Sequence, residues 1–321
     1  MDNGPEQSQK KELLSIGERW FEKSTSMRED LVELWGDWGV DSEVGRLRAV
    51  LMRRPGKEIE GIAEPAGPRW LEVMDPDKAR AQHDALAAIY RANGVAVHYI
   101  EEMRPDRPNA FFVRDLVLMT PEGAILARPA MAARRGEEAY AARTLAKLGV
   151  PIIKTVCGRG TFEGANVLWL DRRTVFLGVG NRTNAEGARQ VEEELRNVGV
   201  EEVIQFQIPF GQAHIDGICN LADRDVAVVF PWQVPHVAAE ALLRRGYRIL
   251  EVAWPEEAKL GMAINFVALE PGRIVMPAGC PRSRELYEKA GLTVIEADIS
   301  ELRKGWGSIH CMTGFLKRDP L

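Results

Sequence analysis

The sequence predicts an α/β protein in which five ββαβ units close into a pseudo-symmetric ring, and three observations lead there. Short apolar hairpin patterns recur about fifty residues apart, at 116–119 with 124–127, 167–170 with 175–178, 218–221 with 226–229 and 266–269 with 273–276. A second signature, a glycine followed by an apolar strand, occurs at Gly94, Gly149, Gly199, Gly246 and Gly291. Five such strands meet only four internal hairpins, so the run 47–52 must pair with the run 312–317, which closes the ring and leaves no open sheet edge.

Each element has a local cause. The hairpins turn on polar groups such as Pro121-Glu122-Gly123 and Asp171-Arg172-Arg173. Helical stretches follow the hairpins, for example 185–197 and 282–289, and the glycine after each helix tolerates the left-handed conformation that ends it. The N-terminal segment differs in period. Leu13, Ile16, Trp20 and Phe21 recur at helical spacing, as do Leu31, Leu34 and Trp35, which predicts two short amphipathic helices packed on the main body. The expected organisation is therefore an N-terminal helical extension over 1–42 and a single catalytic domain over 43–321.

Composition narrows the partners. A net charge of −5 with interspersed signs and no Lys/Arg-rich run gives no footprint for nucleic acid or an anionic membrane. No apolar stretch approaches the roughly 20 residues that span a bilayer, and the polar start over 1–11 lacks a signal-peptide core, so a cytoplasmic protein is expected. Four cysteines, Cys157, Cys219, Cys280 and Cys311, lack zinc-site pairing and should be free thiols. A small guanidino or ureido substrate is the expected partner, with at most a second copy of the chain in a homodimer, and no cofactor or metal is expected.

The polar residues fall just before the hairpins: Asp115 before the first, Glu163 and Asn166 before the second, His214 and Asp216 before the third, Asn265 before the fourth and Cys311 before the closing strand. In a radial repeat, corresponding strand ends point to the central axis, so these side chains should converge. A planar guanidinium cation is recognised by carboxylates that accept paired N–H bonds. Its central carbon is a poor electrophile, which calls for a polarisable nucleophile. A thiol with an ordinary pKa of about 8.5 needs a nearby histidine or cation to raise its thiolate fraction.

Phe112-Val113-Arg114-Asp115, Phe162-Glu163-Gly164-Ala165-Asn166, His214-Ile215-Asp216 and His310-Cys311-Met312-Thr313 with Lys317 to Pro320 resemble the signatures of the guanidino-group-modifying superfamily. That superfamily includes arginine deiminases, dimethylarginine dimethylaminohydrolases and amidinotransferases, and the resemblance runs from about Glu43 to the C-terminus. It implies the five-bladed α/β propeller known as the pentein fold. It also implies Cys311 as nucleophile, His214 as general acid and base, Glu163 as the carboxylate that orients the histidine or touches substrate, and Asp115 and Asp216 as the grip on the guanidinium nitrogens.

Asn166 stands where relatives often carry aspartate, and the stretch Gly305-Trp306-Gly307-Ser308-Ile309 holds no arginine for a substrate carboxylate. Arg182 and Arg134 are the expected substrate clamps, with Arg128 and Arg135 as weaker candidates. Thr183 with Glu186 reads as a capping box for the helix that follows. His310 is expected to be structural, because strand alternation would turn it away from Cys311. Trp306 is expected to shape the pocket, and the other three cysteines to pack or stay inert.

Hydrolysis of a C–N bond, giving a ureido product plus ammonia or an alkylamine, is the expected reaction. An amidinotransferase is the alternative. Such enzymes tend to carry aspartate in place of Glu163, whereas His214-Ile215-Asp216 and Ile264-Asn265 look transferase-like. A non-catalytic binding member of the fold is the alternative of another class.

Overall fold

Five three-stranded sheets carry the β-structure of the described residues, 25–321, in a computed structural model. The first joins β1 (Leu47–Met52), β2 (Ala96–Tyr99) and β15 (Gly314–Arg318). The second joins β3 (Val117–Met119), β4 (Ala124–Leu126) and β5 (Ile152–Thr155), and the third β6 (Val167–Asp171), β7 (Thr174–Val179) and β8 (Glu202–Gln207). The fourth joins β9 (Cys219–Asp223), β10 (Val226–Val229) and β11 (Arg248–Glu251), and the fifth β12 (Val267–Glu270), β13 (Arg273–Pro277) and β14 (Thr293–Ala297). In every sheet the middle strand pairs parallel with the strand beyond the helix and antiparallel with its other neighbour, a hairpin partner in all but the first sheet.

A parallel pair needs a crossover, and a helix supplies it in each unit. The five are α2 (Pro76–Ala92), α3 (Glu137–Leu148), α4 (Ala185–Asn197), α5 (His236–Arg244) and α6 (Pro281–Lys289). The glycines expected beyond them, Gly94, Gly149, Gly199, Gly246 and Gly291, all have φ between 77° and 96°. β1 pairs with β15 as the five-unit count required.

Strands β3, β6, β9, β12 and β15 are largely buried, while β2, β5, β8, β11 and β14 carry the more exposed residues. Each sheet or the turn before it touches the next in chain order, and the fifth touches the first. Val, Ile and Leu dominate this interior, each fully buried side chain contributing about 1.5–3 kcal/mol. Polar stitches fix the neighbours in register. Trp169 Nε1 donates to the Met119 carbonyl at 3.3 Å, Asn220 Nδ2 to the Ile264 and Phe266 carbonyls at 2.9 Å, and Arg318 Nη1 to the Gly45 and Ala268 carbonyls at 2.6 and 2.8 Å.

The N-terminal expectation needs correction. The segment around Leu13 to Phe21 lies outside the described residues. The second helix, α1 (Met27–Leu34), begins with a Ser26 and Glu29 capping box, yet only Leu31 of it is buried. Leu34 and Trp35 stay 61 % and 46 % exposed, so the helix sets one side chain in two turns against the body. Gly39 then bridges to Lys317 beside β15, and residues 40–45 are buried. Among the described residues no helix is long and apolar enough to cross a membrane.

Candidate active site

Each inner strand is entered through a tight turn, and these turns bring the polar residues together. Val113–Asp115 precedes β3, Gly164–Asn166 precedes β6 and Ile215–Gly217 precedes β9. Asn265 stands just ahead of β12, and the short helix α7 (Ile309–Met312) carries Cys311 ahead of β15. The turn at Gly164 needs its glycine: a Cβ there would stand 2.5 Å from the Arg114 carbonyl and 2.7 Å from that of Val117, so the second and third units can approach only over a bare backbone.

Two adjoining chambers meet at Cys311. The smaller, about 90 Å³, is lined by His214, Asp216, Met262, Asn265, Trp306 and Cys311 among others. The larger, about 740 Å³, is lined by Asp115, Arg134, Arg182, His214, Trp306 and Cys311, and opens past Phe210. Such a volume suits a small molecule.

Asn265 holds the thiol from two sides. Its Nδ2 donates to Cys311 Sγ at 3.2 Å and its Oδ1 accepts from the Cys311 backbone N–H at 3.2 Å. The thiol in turn faces Asp216 Oδ2 at 3.5 Å. Burial, then the negative charges of Asp216 and Asp115, push the Cys311 thiol well above its ordinary range. Both effects favour the protonated thiol, and a cation between the two aspartates would oppose them.

His214 lines both chambers with the thiol. Its Nε2 lies 2.6 Å from Glu163 Oε2, and its Nδ1 lies 3.7 Å from Asp115 Oδ1. Burial alone would lower the imidazole pKa, but Asp115, Glu163 and Asp216 outweigh it and raise it. Glu163 is fully buried; burial opposes its charge, yet His214, Arg182 and Arg134 hold its carboxyl below the usual range. Ligand atoms of Asp115, Glu163 and His214 lie within 4.8 Å of one another, the one such grouping of potential metal ligands among the described residues. Arg134 and Arg182 already balance those carboxylates.

The arginines expected to clamp substrate are engaged. Arg134 is buried, pairing with Asp115 and Glu137 and donating to the Phe112 carbonyl at 2.9 Å. Arg182 Nη1 reaches Glu163 Oε2 at 3.2 Å. Both line the larger chamber, and each acts first as a brace for a carboxylate. Asn166 lines neither chamber; its Nδ2 donates to Thr183 Oγ1 at 3.0 Å behind Glu163. Thr183 is thus not the expected cap. Asn184 is, accepting from the Gly187 N–H at 2.8 Å, because the Thr183 hydroxyl faces the Glu163 turn instead.

His310 lies on a helical turn and not a strand, so strand alternation does not govern its direction. It is buried, with Nδ1 2.9 Å from Asp216 Oδ2 and Nε2 3.5 Å from Glu43 Oε2, and Arg114 closes the series 3.1 Å from Glu43. Burial would lower its pKa, but Asp216 and Glu43 raise it. Burial also opposes the charge on Glu43, but Arg114 and His310 hold it down to about 2. Glu43 carried no local signal in the sequence, since its partners are 71 and 267 residues away. Cys219 and Cys280 are buried and pushed up to about 12 and about 11 by burial, while Cys157 is exposed, so only Cys311 combines a pocket with polar partners.

Known proteins match this architecture. Residues 72–317 match the family model described as N,N dimethylarginine dimethylhydrolase, eukaryotic. The N(G),N(G)-dimethylarginine dimethylaminohydrolase of Pseudomonas aeruginosa is 30 % identical over 272 residues, covering 82 % of this chain and 97 % of its own. The solved structure of that organism's enzyme in a mutant form complexed with citrulline aligns with a TM-score of 0.69 at 25 % identity, over 84 % of this chain and 99 % of that one. An amidinotransferase from the saxitoxin biosynthetic pathway of Microseira wollei aligns with a TM-score of 0.72 at 15 % identity, over 88 % and 98 %, a likeness of fold.

Proposed function

The chain belongs to the N,N-dimethylarginine dimethylhydrolase family, and from that premise we propose that Cys311 attacks the guanidino carbon of an arginine-like compound and that His214 moves the protons. The protein is a guanidino hydrolase of the dimethylargininase type, an enzyme acting on guanidino C–N bonds. The five sheets are read as blades of a pseudo-symmetric α/β propeller, with 43–321 as the catalytic domain and 1–42 as an extension.

The observation that carries the site assignment is an acceptor without a donor. Asp115 lines the same chamber as Cys311 and His214, and its buried Oδ1 accepts no hydrogen bond, with His214 Nδ1 3.7 Å away. Buried acceptors are normally satisfied, so this one awaits a ligand N–H. Burial and then these two aspartates push the thiol up, and a guanidinium donating to Asp115 and Asp216 would offset their charges. The thiol proton then leaves toward Asp216 Oδ2, the acceptor it already faces.

Attack forms the C–S bond and a tetrahedral adduct. Protonated His214, steadied by Glu163, gives its proton to the departing nitrogen as the C–N bond breaks, and an amine leaves. A cationic amidino-thioether remains on Cys311. Neutral His214 then takes a proton from water as the oxygen attacks; the C–S bond breaks, the ureido product leaves after giving its hydroxyl proton to solvent, and the proton held at Asp216 returns to the sulfur.

The purified protein, incubated with a panel of methylated and unmethylated guanidino compounds with and without amine acceptors, should release ammonia or alkylamine without an acceptor, followed by mass spectrometry. An absolute need for an acceptor amine would move the assignment to an amidinotransferase.

A further inference from the structure

In the proposed reaction the Cys311 sulfur carries negative charge twice, once before it attacks the guanidino carbon and again when the C–S bond breaks. Its surroundings oppose that charge. Asp216 Oδ2 faces it at 3.5 Å, Asp115 and His214 line the same chamber, and burial followed by Asp216 and Asp115 pushes the thiol up. Among the described residues the one side chain that donates a hydrogen bond to the sulfur is Asn265, through Nδ2 at 3.2 Å.

The direction of that amide is fixed by its partners. Its Oδ1 accepts from the Cys311 N–H at 3.2 Å, and its Nδ2 also donates to the Asp216 carbonyl at 3.3 Å. Exchanging oxygen and nitrogen would set an acceptor against a carbonyl and a donor against an N–H, so the observed orientation alone satisfies the set.

The backbone is fixed to match. Asn265 is buried, and its N–H closes a turn onto the Met262 carbonyl at 2.9 Å, with Met262 in the left-handed region at φ 55°. A non-glycine persists there only where the surroundings over-determine it. Asn220 Nδ2 of β9 donates to the Ile264 carbonyl at 2.9 Å, the Tyr287 hydroxyl of α6 to the Ala263 carbonyl at 3.2 Å, and the His310 N–H of α7 to the Asn265 carbonyl at 3.3 Å. A donor held this firmly needs no reorganisation when charge develops on its acceptor.

We infer that Asn265 is a further catalytic residue, the side-chain donor that stabilises the Cys311 sulfur as an anion on attack and again on departure. It exchanges no proton. The thiol proton passes to Asp216 Oδ2 before the C–S bond forms and returns from there after that bond breaks, while the Asn265 N–H stays on its nitrogen throughout. Hydrogen bonds to an ionised acceptor are stronger than those to a neutral one, so this contact gains strength as the charge appears and lowers the barrier.

The inference rests on Cys311 as the proposed nucleophile, and an assay without substrate separates the two. Iodoacetamide, a small neutral alkylating agent, is applied to the intact protein and its reaction with each cysteine peptide is followed by mass spectrometry. Asn265→Asp keeps the acceptor for the Cys311 N–H and loses the donor, whereas Asn265→Ala removes both and adds no charge. At about pH 8 both should slow alkylation of Cys311 roughly three- to tenfold, the effect of a thiol titration raised by about one unit less the added nucleophilicity of a more basic thiolate. Alkylation of the exposed Cys157 should not change. For dimethylarginine, kcat/KM should fall roughly tenfold or more, while calorimetric binding to a Cys311→Ser background weakens by no more than about twofold on adding either change. Unchanged Cys311 alkylation in a variant that melts like the wild type, or a loss of binding as large as the loss of kcat/KM, overturns the assignment. Should Asn265→Ala not fold, the equal-sized Asn265→Asp decides. Failure of the hydrolase reading shows separately, as absence of product from the wild-type protein whatever the alkylation rates.

Discussion

Two buried histidines flank the same thiol, each between two carboxylates, and they differ in access. His214 sits 2.6 Å from Glu163 and 3.7 Å from Asp115 with its ring on the wall of both chambers. His310 sits 2.9 Å from Asp216 and 3.5 Å from Glu43 and lines neither. In both, acidic neighbours overcome the burial that would discharge the ring. The same electrostatic device thus serves two ends: one imidazolium can hand its proton to a ligand, and the other can only keep Asp216 charged and placed beside Cys311.

The comparison breaks most sharply at His214. His214→Gln should lower kcat by about 10²–10⁴-fold, the usual worth of a positioned acid and base. His310→Gln should cost about tenfold in kcat/KM and move the ascending limb of its pH profile by about one unit, since a less firmly charged Asp216 shifts the thiol it faces. Equal losses from the two variants, with no displaced profile for His310→Gln, would erase the distinction.

Stability offers a finer test, because a third buried histidine has no carboxylate in contact. Neither ring nitrogen of His83 has a hydrogen-bond partner, and burial pushes it down to about 4. The unfolded chain, with a histidine near 6.5, then binds more protons between about 4 and 6.5, so stability falls as pH drops through that window. For His310 the sign is opposite: its raised folded pKa stabilises fully below about 6.5 and the increment is lost as pH rises through the folded value. Thermal melts across pH should show His83→Leu flattening the acid side and His310→Gln flattening the alkaline side. The reverse pattern would contradict both assignments.

Much of the backbone was legible because its determinants are local and repeated. The α4 bounds follow from helical spacing, the five glycines from their place after each helix, and the β1 to β15 pairing from counting units. Asp115, His214, Asp216, Asn265 and Cys311 could be placed together because equivalent turns repeat. Partner choice was not legible. Arg134 reads as a free clamp until Asp115, 19 residues away, is seen to take it, and Thr183 reads as a cap until Glu163 and Asn166 turn toward it. Leu34 and Trp35 have the right spacing for a buried face, yet they stay 61 % and 46 % exposed, and only Leu31 of that helix is buried.

Covalent chemistry at Cys311 is measured most directly by acid-quenching the enzyme during turnover of a guanidino substrate and mapping its peptides by mass spectrometry. The mass of the substrate less its departed ammonia or alkylamine should appear on the peptide containing Cys311, and Cys311→Ser should carry no adduct and lose turnover about a thousandfold or more. Full turnover by Cys311→Ser, or an adduct on Cys157, Cys219 or Cys280 instead, would contradict the account.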